Sequence, residues 1–387
     1  MIAWYSVSMC SPCRSTLHMW RLAQTLPQHS ARPFMSRSIS TESGAAPRPV
    51  HRRWADMLRE DALCMHYQPL LDLRAGRVTK VEALARLRDG DVLIAPGQFL
   101  PSLGSDDHLV LYMRGLAQVL TQRNAWRRVG IDVVVSVNLP PAALCDSRYF
   151  DATRTAFDEF GCEAGELTLE ILESGALPQG VALDKQIAGY KTLGVDFAQD
   201  DLGTGHSSLS RLRELPFDCV KIDRSIADLQ DHDAADVLPF IHHLTRLGQA
   251  LGKAVVVEGV EDPALLDALR IFGVDLAQGY GIARPMPGEQ LPDWIAQTRF
   301  EPQFTARASR CARLAHLMVW EERMLADAHL RTRSAAGQHG SQADIDTWFP
   351  DDGPSAQARD GLLDAARNSG VHSGAYRAAR QRLIAAM

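Results

Sequence analysis

Between roughly residues 60 and 300, short apolar runs rich in β-branched and aromatic side chains alternate with longer segments whose apolar positions recur at helical spacing. The short runs are "CMHYQPLLDL", "KVEALARL", "DVVVSVNL", "ELTLEIL", "GVDFAQDD", "CVKID", "AVVVEGV" and "VDLAQGY". This alternation predicts parallel strands joined by crossover helices. Eight such units in about 240 residues fit a (β/α)8 barrel of the TIM type.

The runs end in a second pattern. In order they close near Gln68, Glu82, Asn138, Glu170, Asp200 with Asp201, Lys221, Glu258 and Gln278. Barrel active sites are built at the carboxyl ends of the strands, where Val, Ile and Leu otherwise fill the interior. One buried carboxylate can be a satisfied structural group, but five converging ones cannot share a low-dielectric mouth without cations. Carboxylates and amide oxygens with no His or Cys among them are hard donors, which points to magnesium or manganese rather than zinc or copper. Adjacent carboxylates at Asp200 and Asp201 let one strand end feed two cations. Two such ions about 3.5–4 Å apart clamp the attacking and leaving oxygens in phosphoester hydrolysis. Taken alone, the two aspartates also fit a simple Asx cap of the turn in "DDLGTG", and it is the other strand ends that favour the metal reading.

Composition changes this picture little. The 387 residues are 46% hydrophobic and 23% charged, and the net charge of -6 provides no basic footprint for duplex nucleic acid. No stretch approaches 18 consecutive apolar residues, so no transmembrane helix is expected. Seven cysteines are scattered, and only Cys10 and Cys13 fall at redox or metal spacing, without a second pair. Ordinary thiols in a reducing cytoplasm are the expectation. Residues 1–52 mix Ser, Arg and Pro without a sustained period and read as a disordered extension or linker, with Met35 an alternative start. The barrel is assigned to 53–300. Residues 301–387 carry amphipathic patterns in "CARLAHLMVWEERML", "ARDGLLDAARNSG" and "AYRAARQRLIAAM", which predict a small helical bundle.

The strings "YQP", "VEALAR", "SVNL", "LEILES", "DDLGTGHSSLS", "VKIDRS", "VEGVE" and "AQGY", in this order over residues 55–300, resemble the EAL domain, a bacterial phosphodiesterase that opens cyclic di-GMP to linear pGpG. The resemblance implies a first metal site at Glu82, Asn138, Glu170 and Asp200, and a second at Asp200, Asp201 and Glu258. It implies that Lys221 positions the nucleophilic water, that Gln278 contacts water or metal, and that Gln68, Leu84 and Arg86 hold the ligand. Glu173 and Glu261 match supporting glutamates. Two Mg2+ or Mn2+ ions per site and a homodimer are implied as well. Leu172, Leu202 and His206 depart from the family pattern around the loop that couples metal binding to dimer contacts, which bears on dimer strength more than on chemistry.

The C-terminal residues His316, Trp320, Trp348 and His372 faintly resemble a chemoreceptor-type zinc-binding helical domain, but the cysteine expected ahead of Trp348 is missing and Tyr376 stands where a second histidine belongs. Lone histidines are more often structural. Two functions fit the barrel: an active phosphodiesterase, or a catalytically silent cyclic di-GMP receptor or interaction module. The complete ligand set favours the enzyme.

Overall fold

The computed structural model describes residues 50–172, 181–203, 208–230, 232–300, 309–331, 345, 349 and 354–387. Its centre is a closed barrel. Strands β1 (Leu63–Asp72), β2 (Arg77–Asp89), β4 (Val134–Leu139), β5 (Leu167–Leu172), β6 (Asp196–Leu202), β7 (Cys219–Ile222), β8 (Ala254–Val257) and β9 (Leu276–Ala277) follow one another around the wall, and β1 closes it by pairing with both β2 and β9. β3 (Val92–Ile94) adds to β2 at the rim, and β10 (Met286–Pro287) adds to β1.

The expectation of parallel strands throughout needs one correction. From β2 through β4 to β9 the wall is parallel, but β1 runs antiparallel to both of its neighbours. Four residues, Leu73 to Gly76, separate β1 from β2. So short a link can only make a hairpin, because a parallel return needs a crossover of a dozen residues or more. In the hairpin Gln68 faces Glu82 across the pair, which brings two of the polar strand positions together.

Alternation along each strand divides the side chains between the two surfaces of the wall. Outward-facing residues such as Val81, Val135, Leu169, Val220 and Val255 join one large apolar cluster with the surrounding helices, including α2 (Ser105–Arg128), α3 (Ser147–Phe160), α4 (Val181–Thr192), α5 (Ser208–Glu214), α6 (Ala234–Ala250) and α7 (Pro263–Phe272). Asp146, Asp233 and Asp262 cap α3, α6 and α7 by accepting a backbone N–H in the first turn, which satisfies donors that the helix leaves orphaned. Inside the barrel, Leu70, Ala198, Cys219 and Val256 form a small separate apolar layer.

The amino-side boundary of the barrel departs from the sequence reading. Val50, His51 and Arg52, read as the end of a linker, form the first turn of α1 (Val50–Arg59). This helix seats Leu58 with Leu63, Leu87, Ile94 and Phe99 in a cluster of its own. Past the barrel, after α8 (Leu291–Gln297), come α9 (Arg310–Arg331), α10 (Pro354–Ser369) and α11 (Gly374–Ala385), the helices expected of a bundle.

Helix α9 serves two cores. Cys311, Leu314, Ala315 and Met318 belong to the barrel's main cluster, whereas Leu317 and Trp320 pack with Leu362, Leu363, Tyr376 and Leu383 of the last two helices. Glu321 accepts hydrogen bonds from the Tyr376 hydroxyl at 2.8 Å and Arg380 Nε at 2.7 Å. His316 is half-buried and His372 exposed, while Trp348 lies outside the described residues. Among the described residues no helix is long and apolar enough to cross a membrane.

Candidate active site

Two residues toward the carboxyl ends of the strands from Ala198, Cys219 and Val256, the interior becomes charged. β2 delivers Glu82, β5 Glu170, β6 Asp200, and the residue after β8 is Glu258. Lys221 of β7 rises into the middle of them and is almost fully buried. Its Nζ lies 2.5 Å from Glu258 Oε1, 2.6 Å from Glu170 Oε2, 3.2 Å from Asp200 Oδ1 and 3.4 Å from Glu82 Oε2. Lys221 is therefore the cation that lets the carboxylates coexist.

Amides steer the carboxylates. Asn138 Nδ2 donates to Glu82 Oε1 at 3.1 Å, and Gln278 Nε2 donates to Glu82 Oε2 at 2.8 Å and to Gln68 Oε1 at 3.1 Å. Gln68 Nε2 in turn donates to the Ala283 carbonyl at 3.0 Å. Both oxygens of Glu82 are thus fixed, and three other sequence-selected residues, Asn138, Gln278 and Gln68, form one continuous network with it.

The electrostatics record how costly this arrangement is. Burial pushes the Glu82 carboxyl up, and Glu170 adds to the shift while Lys221 only partly offsets it. Burial likewise raises Asp200, with Lys221 opposing, and pushes Glu258 up to about 8. Glu170 goes the other way: burial works against its charge, but Lys221 and Lys80 outweigh it. Lys221 is held well above the usual lysine range, because Glu170, Glu82, Glu258 and Asp200 overcome the burial that opposes its charge.

One ammonium cannot balance five carboxylates, and the donor set has room for more cations. Glu170 Oε1 and Gln278 Oε1 are buried acceptors with no hydrogen-bond donor among the described residues. One oxygen from each of Asp200, Asp201 and Glu258 lies within 4.8 Å of the others, and among the described residues this is the one such grouping of three or more His, Cys, Asp or Glu side chains. Asp201 has a φ of 60°, a left-handed conformation that non-glycine residues adopt rarely and at a cost of about 1 kcal/mol or more. This kink falls in the register shift of β6 between Gln199 and Leu202, so that the last two carboxylates of the strand need not point to opposite faces. Hard, orphaned, crowded oxygens fit a divalent ion such as magnesium or manganese.

The remaining sequence-selected residues take distinct places. Leu84 and Arg86 continue the inner face of β2 toward the rim, opposite His66 and Cys64 of β1. Arg86 is half-buried, with NH1 donating to the Ala85 carbonyl at 2.8 Å. Glu261 is exposed and receives a hydrogen bond from Gln230 Nε2, which ties the loop after Glu258 to the loop after β7. Leu202 is buried beside Ile222, and Leu172 sits opposite Asp200. Glu173 and His206 lie outside the described residues.

Sequence reasoning passed over Lys80. It is buried two residues before Glu82 and adds positive potential at Glu170. The signal was its period-two spacing with Glu82, Leu84 and Arg86, which puts all four on the inward face.

Residues 51–285, more than half of the chain, match the EAL domain family. The chain belongs to the EAL domain family. A bifunctional diguanylate cyclase/cyclic di-GMP phosphodiesterase of Pseudomonas aeruginosa, MucR, is 34% identical over 238 residues, covering 60% of this chain and 34% of the relative. NbdA, a cyclic di-GMP phosphodiesterase of the same organism, is 34% identical over 258 residues, covering 63% of this chain and 31% of the relative. The chain therefore spans about a third of the length of these relatives. Among solved structures, the MucR phosphodiesterase in complex with c-di-GMP superposes with a TM-score of 0.56 at 33% identity, over 62% of this chain and 98% of that one. This EAL barrel is thus similar to domains whose names carry both the ligand and the reaction.

Proposed function

We propose that this EAL domain is a metal-dependent phosphodiesterase that hydrolyses cyclic di-GMP to linear pGpG. The observation that carries the reading is the cluster of Glu82, Glu170, Asp200 and Glu258 around Lys221, with Asp201 beside Asp200 and Glu258 and acceptors left over for cations. Glu82, Asn138, Glu170 and Asp200 would hold one divalent ion, and Asp200, Asp201 and Glu258 a second. When bound, the ions supply neutralisation of the developing negative charge and acidify water at neutral pH.

The chain's own residues do the rest. Gln278 and Asn138 hold Glu82 in a single orientation from two sides, which removes a reorganisation cost that the reaction would otherwise bear. Lys221 carries a fixed positive charge at the floor of the site and in this reading orients the attacking water. Arg86, with its planar fork of donors, binds a phosphate oxygen of the diester, and Gln68 and Leu84 line the same approach. Glu261 braces the loop that carries Glu258. A homodimer is part of the same reading.

Incubation of the purified full chain with cyclic di-GMP and Mg2+ or Mn2+, followed by separation of products, is the test. Formation of pGpG that stops with excess chelator is expected. Tight binding of cyclic di-GMP with no turnover in either metal would replace the enzyme with a receptor.

A further inference from the structure

Directly after Gln278, the chain crosses the rim of the barrel as Gly279, Tyr280 and Gly281. A Cβ at Gly279 would lie 2.2 Å from both N and O of Val260, and one at Gly281 would lie 2.5 Å from the Glu261 carbonyl. Only glycine allows this approach. Val260 N donates to the Gln278 carbonyl at 3.0 Å and Gly281 N donates to the Val260 carbonyl at 2.8 Å, which fixes the segment from both sides. The backbone on either side of Tyr280 is therefore rigid and anchored to the loop that carries Glu258.

Tyr280 itself is 50% exposed, whereas Tyr67, Tyr112, Tyr149, Tyr190 and Tyr376 are all buried. Its ring fills no core. The guanidinium carbon of Arg284 lies 4.3 Å from the ring centroid, so one face is covered by a cation and the ring is held between that cover and solvent. The Arg86 guanidinium lies within electrostatic range of the Tyr280 hydroxyl. A rigid aromatic plate backed by one guanidinium, within range of a second and two residues from a side chain of the carboxylate network, is an arrangement that can grip a base next to its phosphate.

We propose that Tyr280, backed by Arg284, is a stacking plate for a purine base of the substrate, so that the site selects a nucleotide diester rather than any phosphodiester. The inference rests on the substrate reading given above. Stacking needs only the π-face of the base and is worth roughly five- to a hundredfold in affinity per base when the aromatic is removed, and the arginine behind the ring adds to its electron demand on the base.

Calorimetric binding of cyclic di-GMP to the full chain with Ca2+, whose longer ligand distances fit a tight two-ion geometry poorly and so suppress turnover, together with steady-state kinetics with Mg2+ or Mn2+, tests this on Tyr280→Ala and Tyr280→Phe. The alanine variant is expected to raise Kd and KM by about tenfold or more while kcat stays within about twofold. The phenylalanine variant keeps the ring and is expected to match the parent in Kd, KM and kcat. Equal affinity of the alanine variant and the parent overturns the stacking role and leaves the substrate reading intact. Loss of affinity in the phenylalanine variant to the same extent as in alanine also overturns it, because the hydroxyl and not the ring would then be responsible. Absence of binding by the parent overturns the substrate reading, and the stacking role with it.

Discussion

The barrel interior holds two layers made by the same strands two residues apart. On five strands the lower layer is apolar, with Leu70, Ala198, Cys219 and Val256 and with Leu276 packed against them, and on the other three it is Lys80, Ser136 and Thr168. The upper layer takes Gln68 for Leu70, Asp200 for Ala198, Lys221 for Cys219, Glu258 for Val256 and Gln278 for Leu276. The upper layer sits where the pairing loosens, since β6 and β7 slip register between Gln199 and Leu202 and Glu258 and Gln278 lie just past their strands, so the layers differ in backbone as well as in side chains. The lower layer contributes apolar burial to folding. The upper layer buries charge, and the raised carboxyls of Glu82, Asp200 and Glu258 measure what that opposes. Function in this fold is thus a stability deficit concentrated at the upper level, with Lys80 the buried charge in the level beneath.

The largest effect is expected where the upper layer loses a cation ligand. Asp201→Asn leaves Glu82, Asn138, Glu170 and Asp200 for one ion and weakens the other, so binding of cyclic di-GMP should largely persist. Turnover should fall by at least about a thousandfold, since charge stabilisation and water activation are each worth several kcal/mol. Single-turnover hydrolysis with calorimetric binding checks this. Turnover within tenfold of the parent would return Asp201 to the role of a turn-capping residue.

The lower layer should answer in the opposite currency. Leu70→Ala removes a side chain with no solvent exposure and is expected to cost roughly 2–5 kcal/mol of stability through lost transfer energy and the cavity left behind. Its kcat per folded molecule should be close to the parent's. Thermal melting and active-site titration separate the two. A hundredfold drop in kcat with an unchanged Tm would show that the lower layer acts on the chemistry directly.

The contrast between the layers was largely legible in the sequence, because a polar residue at the end of an apolar run is conspicuous when it recurs around a barrel. Glu82, Glu170, Asp200, Lys221, Glu258 and Gln278 converge as the strand ends suggested. The direction of β1 was not read, since period-two alternation is the same in either sense; the four-residue link to β2 held that information. Helix α9 could not be assigned from its own pattern, because Leu314 and Leu317 both read as core and only the packing sends them to different cores. Tyr280 went unnoticed because rigidity and exposure come from Gly279 and Gly281 pressed against a distant loop.

The smallest expected effect sharpens the comparison by relieving the upper layer's deficit without touching its packing. In the metal-free protein the Glu258 carboxyl titrates at about 8 against an ordinary 4.5. Between those values the unfolded chain has released the proton and the folded chain still holds it, so the term weakens the fold as pH rises. Below about pH 4.5 the deficit is absent, and above about 8 it is complete. Glu258→Gln keeps the shape and removes the titration. The metal-free variant should therefore melt higher than the parent at pH 9, by on the order of 1–2 kcal/mol after allowance for the 18% exposure of the side chain. The two should converge near pH 4. Saturating Mg2+ should reverse the order, because an ion that binds only the folded parent stabilises it by mass action. Parallel metal-free melting curves from pH 4 to 9 would show that Glu258 carries no such strain, and that the upper layer's cost lies with Glu82 and Asp200 instead.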